Sequence, residues 1–178
     1  MKITRLVLIS LLLFPGLCLA HGPSRQKVVK TVDIDAPPDK VWSIISGYCS
    51  IKDWNPLVTD CESDKGSDPD SIRVITLENG EKLKEKLIKY LPDQMKYQYM
   101  MVEPNIKALP INTHGSSITV TANDKGGTTV EWKGAFYRSF PGPNPPPELS
   151  DEAGHEKVGN LYDSGLMNLK KLAEAKRD

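Results

Sequence analysis

One acidic side chain, Glu85, stands where a carboxylate could do chemistry. Because side chains alternate along a strand, Glu85 shares a face with Leu83 and Leu87 if this segment is extended. An unpaired carboxylate on an apolar face is costly, since burial removes its hydration. Glu85 could orient a ligand, or act as an acid or base. Equally, it could pair with a lysine or with Tyr99.

Motifs that would indicate a particular reaction are missing from the sequence. There is no HExxH, nucleophile elbow, phosphate-binding loop or CxxC pair. The three histidines, His21, His114 and His155, are scattered along the chain. We therefore predict no catalytic residue, no metal site and no cofactor, and we expect a protein that is not an enzyme.

The N-terminus has the pattern of a secretory signal peptide. Lys2 and Arg5 precede an apolar run at 6–14, and small residues precede a cleavage site after Ala20. The run is shorter than the ~20 apolar residues of a membrane-spanning helix. We predict a signal peptide at 1–20, a periplasmic protein without stable membrane insertion, and a single domain at 21–178.

The charge balance excludes one class of partner. The chain has 23 basic and 23 acidic residues, and cleavage would remove Lys2 and Arg5, leaving 21 against 23 and a net charge of −2. Such a chain has no excess of cations with which to bind a polyanion. We therefore expect no nucleic-acid partner.

Two cysteines, Cys49 and Cys61, would remain after cleavage. An even number in an oxidising compartment predicts a disulfide, here closing a loop of about a dozen residues and stabilising by roughly 2–4 kcal/mol. Two buried free thiols are the alternative.

A long C-terminal helix is predicted at 150–176. Its apolar residues recur at the i, i+3, i+4, i+7 spacing of one helical face, and Ser150 is a candidate N-cap. At 1.5 Å per residue the helix spans about 40 Å. Its apolar side needs a wide cover, and the strand-like segments between 28 and 137 are the only candidates.

Seven strands are predicted, with two short helices after the first. The Asn79-Gly80 pair predicts a type I′ hairpin, so the segment after it is assigned as a strand although its leucines also fit a helix. The predicted strands are 28–34, 60–64, 72–77, 81–91, 96–103, 116–122 and 128–137. We predict an α+β, helix-grip fold: a curved antiparallel sheet around the long helix.

This order of elements resembles the START/Bet v 1-like superfamily, also called SRPBCC, of hydrophobic-ligand-binding domains and polyketide cyclases. The resemblance covers essentially 28–172. Its motifs are Ile34-Asp35-Ala36-Pro37 before Val41-Trp42, Asp53-Trp54-Asn55-Pro56, Glu85-Lys86-Leu87, Tyr97-x-Tyr99, and Tyr162-x-x-Gly165-Leu166-x-Asn168-Leu169. Asn55 is a departure, since relatives often carry histidine there.

A narrower resemblance is to the MxaD-type periplasmic accessory proteins of methanol oxidation. It rests on the signal peptide, on His21-Gly22-Pro23 leading into Gln26-Lys27-Val28, and on Trp132-Lys133-Gly134-Ala135-Phe136-Tyr137-Arg138 before a proline-rich loop and Asp151-Glu152-Ala153. The resemblance implies a non-enzymatic protein that aids contact between methanol dehydrogenase and its cytochrome c acceptor.

A sheet curved around one helix encloses a pocket, and aromatic side chains line such pockets well. The predicted ligand cavity consists of Trp42, Trp54, Glu85, Leu87, Tyr97, Tyr99, Trp132, Phe136 and Tyr162. In related folds the Asn79-Gly80 turn and the 109–111 loop flank its mouth. Alternatively, most of these residues only fill the core. An occupied cavity would indicate a carrier of a small hydrophobic molecule, or a cyclase using Glu85.

The proline-rich loop is the predicted docking surface for a protein partner. Its residues are Pro143, Asn144, Pro145, Pro146 and Pro147. Consecutive prolines hold an extended conformation, so such a loop binds at low entropic cost. It could equally be a plain linker.

Overall fold

A computed structural model describes residues 22–175 of the chain. The predicted signal peptide at 1–20 lies outside these residues, as does the end of the predicted helix at 176. Both remain predictions.

Seven antiparallel strands form one curved sheet with the order β1-β7-β6-β5-β4-β3-β2. The strands are β1 (Gln26–Ile34), β2 (Val58–Ser63), β3 (Ile72–Leu77), β4 (Lys82–Leu91), β5 (Lys96–Glu103), β6 (Ile111–Ala122) and β7 (Thr128–Arg138). The helices are α1 (Pro38–Ile45), α2 (Ile51–Trp54) and α3 (Asp151–Glu174). The predicted helix-grip fold class is confirmed.

Helix α3 covers the inner face of the sheet and packs mainly on β1 and β7. It begins as predicted, because the Ser150 hydroxyl accepts a hydrogen bond from the Ala153 N–H over 3.1 Å. Asp151 and Glu152 occupy the first turn, where the helix dipole favours anions. The buried side of α3 carries Val158, Leu161, Tyr162, Leu166, Leu169 and Ala173.

The segment that could have been helix or strand is a strand. Leu83, Glu85 and Leu87 are buried while Lys82, Lys84 and Lys86 point outward, and β4 pairs with both β3 and β5. A helix would not place these three residues on one buried face.

The turn between β3 and β4 differs from the predicted type I′ form. Gly80 has a φ of 81°, but Asn79 is not among the residues with positive φ, which both central positions of a type I′ turn require. Instead the Gly80 N–H bonds to the Leu77 carbonyl and the Leu77 N–H to the Glu81 carbonyl, both over 2.8 Å. This is a type I turn followed by a glycine bulge, a three-residue alternative for the same hairpin.

Strand β6 begins five residues earlier than predicted, at Ile111 rather than 116. A bulge between Asn112 and His114 shifts the pairing with β7, and Thr113 has a φ of 48°. The extra residue interrupts the alternation of buried and exposed positions. For that reason the first part of the strand carried no recognisable strand pattern.

The predicted disulfide is confirmed. Cys49 and Cys61 are bonded, with their Cα atoms 5.4 Å apart and a sequence separation of 12. The bond ties the segment between α1 and α2 to edge strand β2. Among the described residues, no helix has the length and apolar character needed to cross a membrane.

Helix α3 approaches the core closely at Gly165. A Cβ atom there would lie 2.7 Å from the Trp54 ring, 2.8 Å from the Asn55 amide nitrogen and 3.0 Å from the Trp132 ring. At Gly159, on the same helix, a Cβ would meet only the Lys30 side chain, at 3.5 Å.

We predict opposite effects of alanine at these two glycines. Gly165→Ala should lower the free energy of unfolding by about 1–3 kcal/mol, because overpacking outweighs the better helix propensity. Gly159→Ala is the matched control and should leave stability unchanged or raise it by up to ~1 kcal/mol. Urea unfolding followed by tryptophan fluorescence measures both, and equal effects would contradict this packing.

Candidate functional site

The first component of the candidate site is a buried ion pair between β3 and β4. The hairpin register places Arg73 directly opposite Glu85, and both side chains are buried. Arg73 Nε donates to Glu85 Oε2 over 2.8 Å, and Nη2 lies 2.7 Å from the same oxygen. The partner of Glu85 is therefore an arginine, not the lysine or Tyr99 considered from sequence.

Two tyrosines complete the surroundings of this pair. The Arg73 guanidinium lies 4.2 Å from the centre of the Tyr48 ring and 4.8 Å from that of Tyr99, and it donates to the Tyr48 carbonyl. Ring faces attract a cation, most strongly where water is excluded. Burial, the largest single influence, lowers the pKa of Arg73, but the Glu85 carboxylate and the neighbouring tyrosines together raise the pKa above its usual value. Arg73 is therefore charged.

The second component is a chain of hydrogen bonds between β5, β6, β7 and α3. Tyr162 Oη lies 2.9 Å from His114 Nε2 and 2.7 Å from Ser116 Oγ. Trp132 Nε1 donates over 3.0 Å to Ser116 Oγ and to Tyr99 Oη. The Ser116 hydroxyl itself donates to the Lys133 carbonyl over 3.0 Å.

The bonding partners determine which atom donates and which accepts in each of these hydrogen bonds. Since the Ser116 hydrogen goes to the Lys133 carbonyl, Ser116 Oγ accepts from Tyr162, and Tyr162 Oη must accept from His114 Nε2–H. His114 Nδ1 is then an acceptor, and it has no partner among the described residues. Burial lowers the pKa of His114 to about 4 and raises the pKa of Tyr162, so both groups are neutral at pH 7.

The predicted cavity residues are brought together, but largely against one another. The Trp132 and Tyr162 rings stack with centroids 4.2 Å apart, and Trp54 packs edge-on against Trp132 at 5.3 Å. Phe136, Tyr97 and Leu87 are also buried. Trp42 is half-buried, and its ring stacks on Tyr90 at 6.1 Å and lies 6.2 Å from the Tyr97 ring.

A small pocket lies between the β3–β4 turn, the 107–109 loop and the middle of α3. Its lining includes Asn79, Leu109, Lys157 and Leu161, and its volume is about 140 Å³. The two segments expected to flank a cavity mouth therefore do meet. The pocket is smaller than the ~300–1,000 Å³ typical of drug-sized ligand sites.

Several buried polar atoms of the interior lack a hydrogen-bond partner among the described residues. They include the hydroxyls of Tyr48 and Tyr97 and the indole nitrogen of Trp54. Burial raises the pKa of Tyr97 to about 12, so this hydroxyl keeps its proton. Leaving such groups unpaired costs about 1–3 kcal/mol each, which a buried water or a polar ligand atom would offset.

The proline-rich loop is anchored at its base by Arg138. This side chain is 6% exposed and donates to the carbonyls of Phe140 (3.1 Å) and Gly142 (2.7 Å) and to the Asp151 carboxylate (2.8 Å). Of the predicted docking residues, Pro143, Asn144 and Pro147 are exposed, and Pro145 and Pro146 are half-buried. The loop base is fixed while its tip faces solvent.

Sequence reasoning did not identify three buried polar residues of the site: Arg73, His114 and Ser116. Arg73 had a usable signal, since it alternates with Ile75 and Leu77 on the inward face of a predicted strand. His114 and Ser116 follow the β6 bulge, which interrupts the alternation of inward and outward positions. The sequence therefore does not indicate which face of the sheet they occupy.

The fold and this core define a helix-grip domain with an aromatic interior. A family model described as polyketide cyclase / dehydrase and lipid transport matches residues 25–174. The chain therefore belongs to this family. None of the curated protein sequences compared with the chain matches it.

Solved structures agree with the fold. The protein XoxI from Bacillus cereus is 23% identical with a TM-score of 0.71, over 83% of this chain and 94% of that one. A protein from Nitrosospira multiformis is 24% identical with a TM-score of 0.67, over 83% and 96%. Norcoclaurine synthase from Thalictrum flavum, in complex with dopamine and hydroxybenzaldehyde, is 16% identical with a TM-score of 0.66, over 98% and 99%.

We predict that removing one partner of the ion pair destabilises the protein more than replacing both partners. Glu85→Gln should destabilise the protein by about 3–5 kcal/mol, because it leaves a buried guanidinium uncompensated, whereas Arg73→Met with Glu85→Leu should recover most of that loss. Lys86→Gln is the control on the same strand, because it breaks the exposed Lys86–Asp70 pair and should cost less than ~1 kcal/mol. Urea unfolding of the four proteins decides, and a small effect of Glu85→Gln would contradict the buried pair.

We also predict acid destabilisation through His114. Its folded pKa of about 4 lies below the unfolded value of 6.5, so only the unfolded chain takes up a proton between these values. The contribution of His114 to the free energy of unfolding is therefore fully present above pH 6.5. It falls toward pH 4 by at most ~1.4 kcal/mol per pH unit. Histidine-detected NMR should find a neutral ring at pH 5, and the pH dependence of stability should be weaker in His114→Asn. A ring charged at pH 5 would contradict the assignment.

Proposed function

We propose that the protein is a non-enzymatic periplasmic accessory protein of methanol oxidation, which aids contact between methanol dehydrogenase and its cytochrome c acceptor. One observation carries the choice of a protein-binding role over catalysis or transport. The side chains expected to line a ligand cavity pack on one another, and the pocket at its mouth has only about 140 Å³.

The ion pair supports the same choice. A general acid or base must reach the proton that it transfers. Glu85 is instead bonded to Arg73, and the guanidinium is held between Tyr48 and Tyr99. Glu85 thus has a structural partner, which makes a cyclase or lyase mechanism the less supported reading.

The choice of methanol oxidation rests on the resemblance to MxaD-type proteins. Two residues of the motif at 132–138 have a definite role here: Trp132 joins the buried hydrogen-bond chain, and Arg138 anchors the proline-rich loop. The motif thus holds the loop that we propose as a docking surface. A disulfide between Cys49 and Cys61 suits the oxidising periplasm, where we place a mature domain at 21–178.

A carrier of a small molecule is the second candidate. The unpartnered hydroxyls of Tyr48 and Tyr97 could meet the polar atoms of a ligand that enters by rearrangement of the core. The norcoclaurine synthase complex, with dopamine and hydroxybenzaldehyde, has a similar fold and binds small aromatic compounds. Such a ligand would need more room than the mouth pocket provides.

The test is electron transfer from purified methanol dehydrogenase to purified cytochrome c, measured by stopped flow with and without this protein. We expect several-fold faster reduction at limiting concentrations. Pro143→Ser with Pro147→Ser should weaken the effect, while Asp124→Ser with Lys125→Ser in the β6–β7 turn is the control. An unchanged rate, together with a stoichiometric small molecule seen by native mass spectrometry, would overturn the proposal in favour of a carrier.

A further inference from the structure

A groove of about 640 Å³ crosses the outer face of the sheet, the face turned away from α3. Four large apolar side chains that line it are between 39% and 54% exposed: Val29, Ile88, Met100 and Tyr137. They come from β1, β4, β5 and β7, so the groove runs across the sheet rather than along one strand. Contiguous exposed apolar surface of this kind is typical of interaction sites.

Small residues form part of the lining. Gly115 and Ala135 are paired neighbours on β6 and β7, and both line the groove. A Cβ on Gly115 would have no heavy atom within 4 Å. The space above Gly115 is therefore open, and a larger side chain could occupy it without disturbing the core.

The charged residues of the groove have one sign. Arg25, Lys27 and Lys133 line it, and no carboxylate from residues 22–175 does, in a chain with equal numbers of acidic and basic residues. Lys133 is neutralised by Glu131 at 2.8 Å. Arg25 and Lys27 are exposed and form no ion pair with any described residue. The uncompensated positive charge therefore lies at the end of the groove that β1 lines.

We propose that this outer groove docks a protein partner through an apolar segment flanked by carboxylates. The inference rests on the proposed accessory function and names the surface and the partner chemistry that it requires. The apolar side chains would bury the segment, while Arg25 and Lys27 would attract its carboxylates and orient it. The groove also adjoins the proline-rich loop, because Tyr137 immediately precedes the loop anchor Arg138.

The experiment uses the mature full-length chain and two probes. The first probe is purified methanol dehydrogenase, followed by biolayer interferometry. The second is a synthetic peptide, acetyl-Asp-Asp-Leu-Phe-Leu-Asp-Asp-amide, followed by NMR chemical-shift changes. Binding of the peptide to the wild type should shift backbone signals of β6 and β7 around Gly115 and Ala135, and should weaken at high salt because the cations are exposed.

Two variants test the groove. Arg25→Glu with Lys27→Glu should slow association by about tenfold or more, since exposed charges act mainly on the encounter rate. Gly115→Ile should fill the groove and speed dissociation by a similar factor. The matched control for charge is Lys65→Glu with Lys171→Glu, which reverses two exposed lysines outside the groove and should leave both rates unchanged.

The outcomes separate this inference from the proposed function. If methanol dehydrogenase binds the wild type and both groove variants equally well, the proposal that the groove is the docking site is overturned and the accessory function stands. If only the peptide binds, and at the groove, the docking surface stands and the proposed partner fails. If neither probe binds the wild type, both proposals are overturned. A wild-type dimer that Gly115→Ile dissociates would make a second copy the occupant and overturn the partner assignment.

Discussion

The buried charge of Arg73 is the constraint on which the interior depends. A guanidinium without water is tolerated only if carboxylate, carbonyl and ring faces replace its hydration, and here Glu85, Tyr48 and Tyr99 do so from three elements. The requirement links the register of the β3–β4 hairpin to the position of Tyr48, after α1, and of Tyr99 on β5. The adjacent disulfide at Cys49 restrains the segment that carries Tyr48.

The rest of the interior extends from this pair as a packed aromatic layer. Tyr99 meets the Trp132 indole nitrogen, Trp132 stacks on Tyr162, and Tyr162 is bonded to His114 and Ser116. Such a layer requires α3 to approach closely, which is why a residue without a side chain stands at 165. These bonds connect the sheet to the helix. Other buried polar atoms lack a hydrogen-bond partner within residues 22–175, among them the hydroxyls of Tyr48 and Tyr97, the Trp54 indole nitrogen and His114 Nδ1.

A family associated with polyketide cyclases and lipid transport would be expected to offer an open interior. In this chain aromatic side chains of the interior pack on one another, and a groove of about 640 Å³ lies on the opposite face of the sheet. The outer groove and the anchored proline-rich loop share the end of β7. This distribution of space is the reason that we propose function by contact with a partner rather than by enclosing a ligand.

The sequence by itself determined the elements and their order. Helical spacing defined α3, alternation defined β4, and the two cysteines defined the disulfide, because each signal is local or rests on composition. Tertiary structure alone decided that Glu85 meets Arg73, that β6 begins before its bulge, and that Trp132 stacks on Tyr162 and packs against Trp54. These outcomes depend on how distant faces fit and on the volume left between them. No sequence pattern within a single segment predicts that volume.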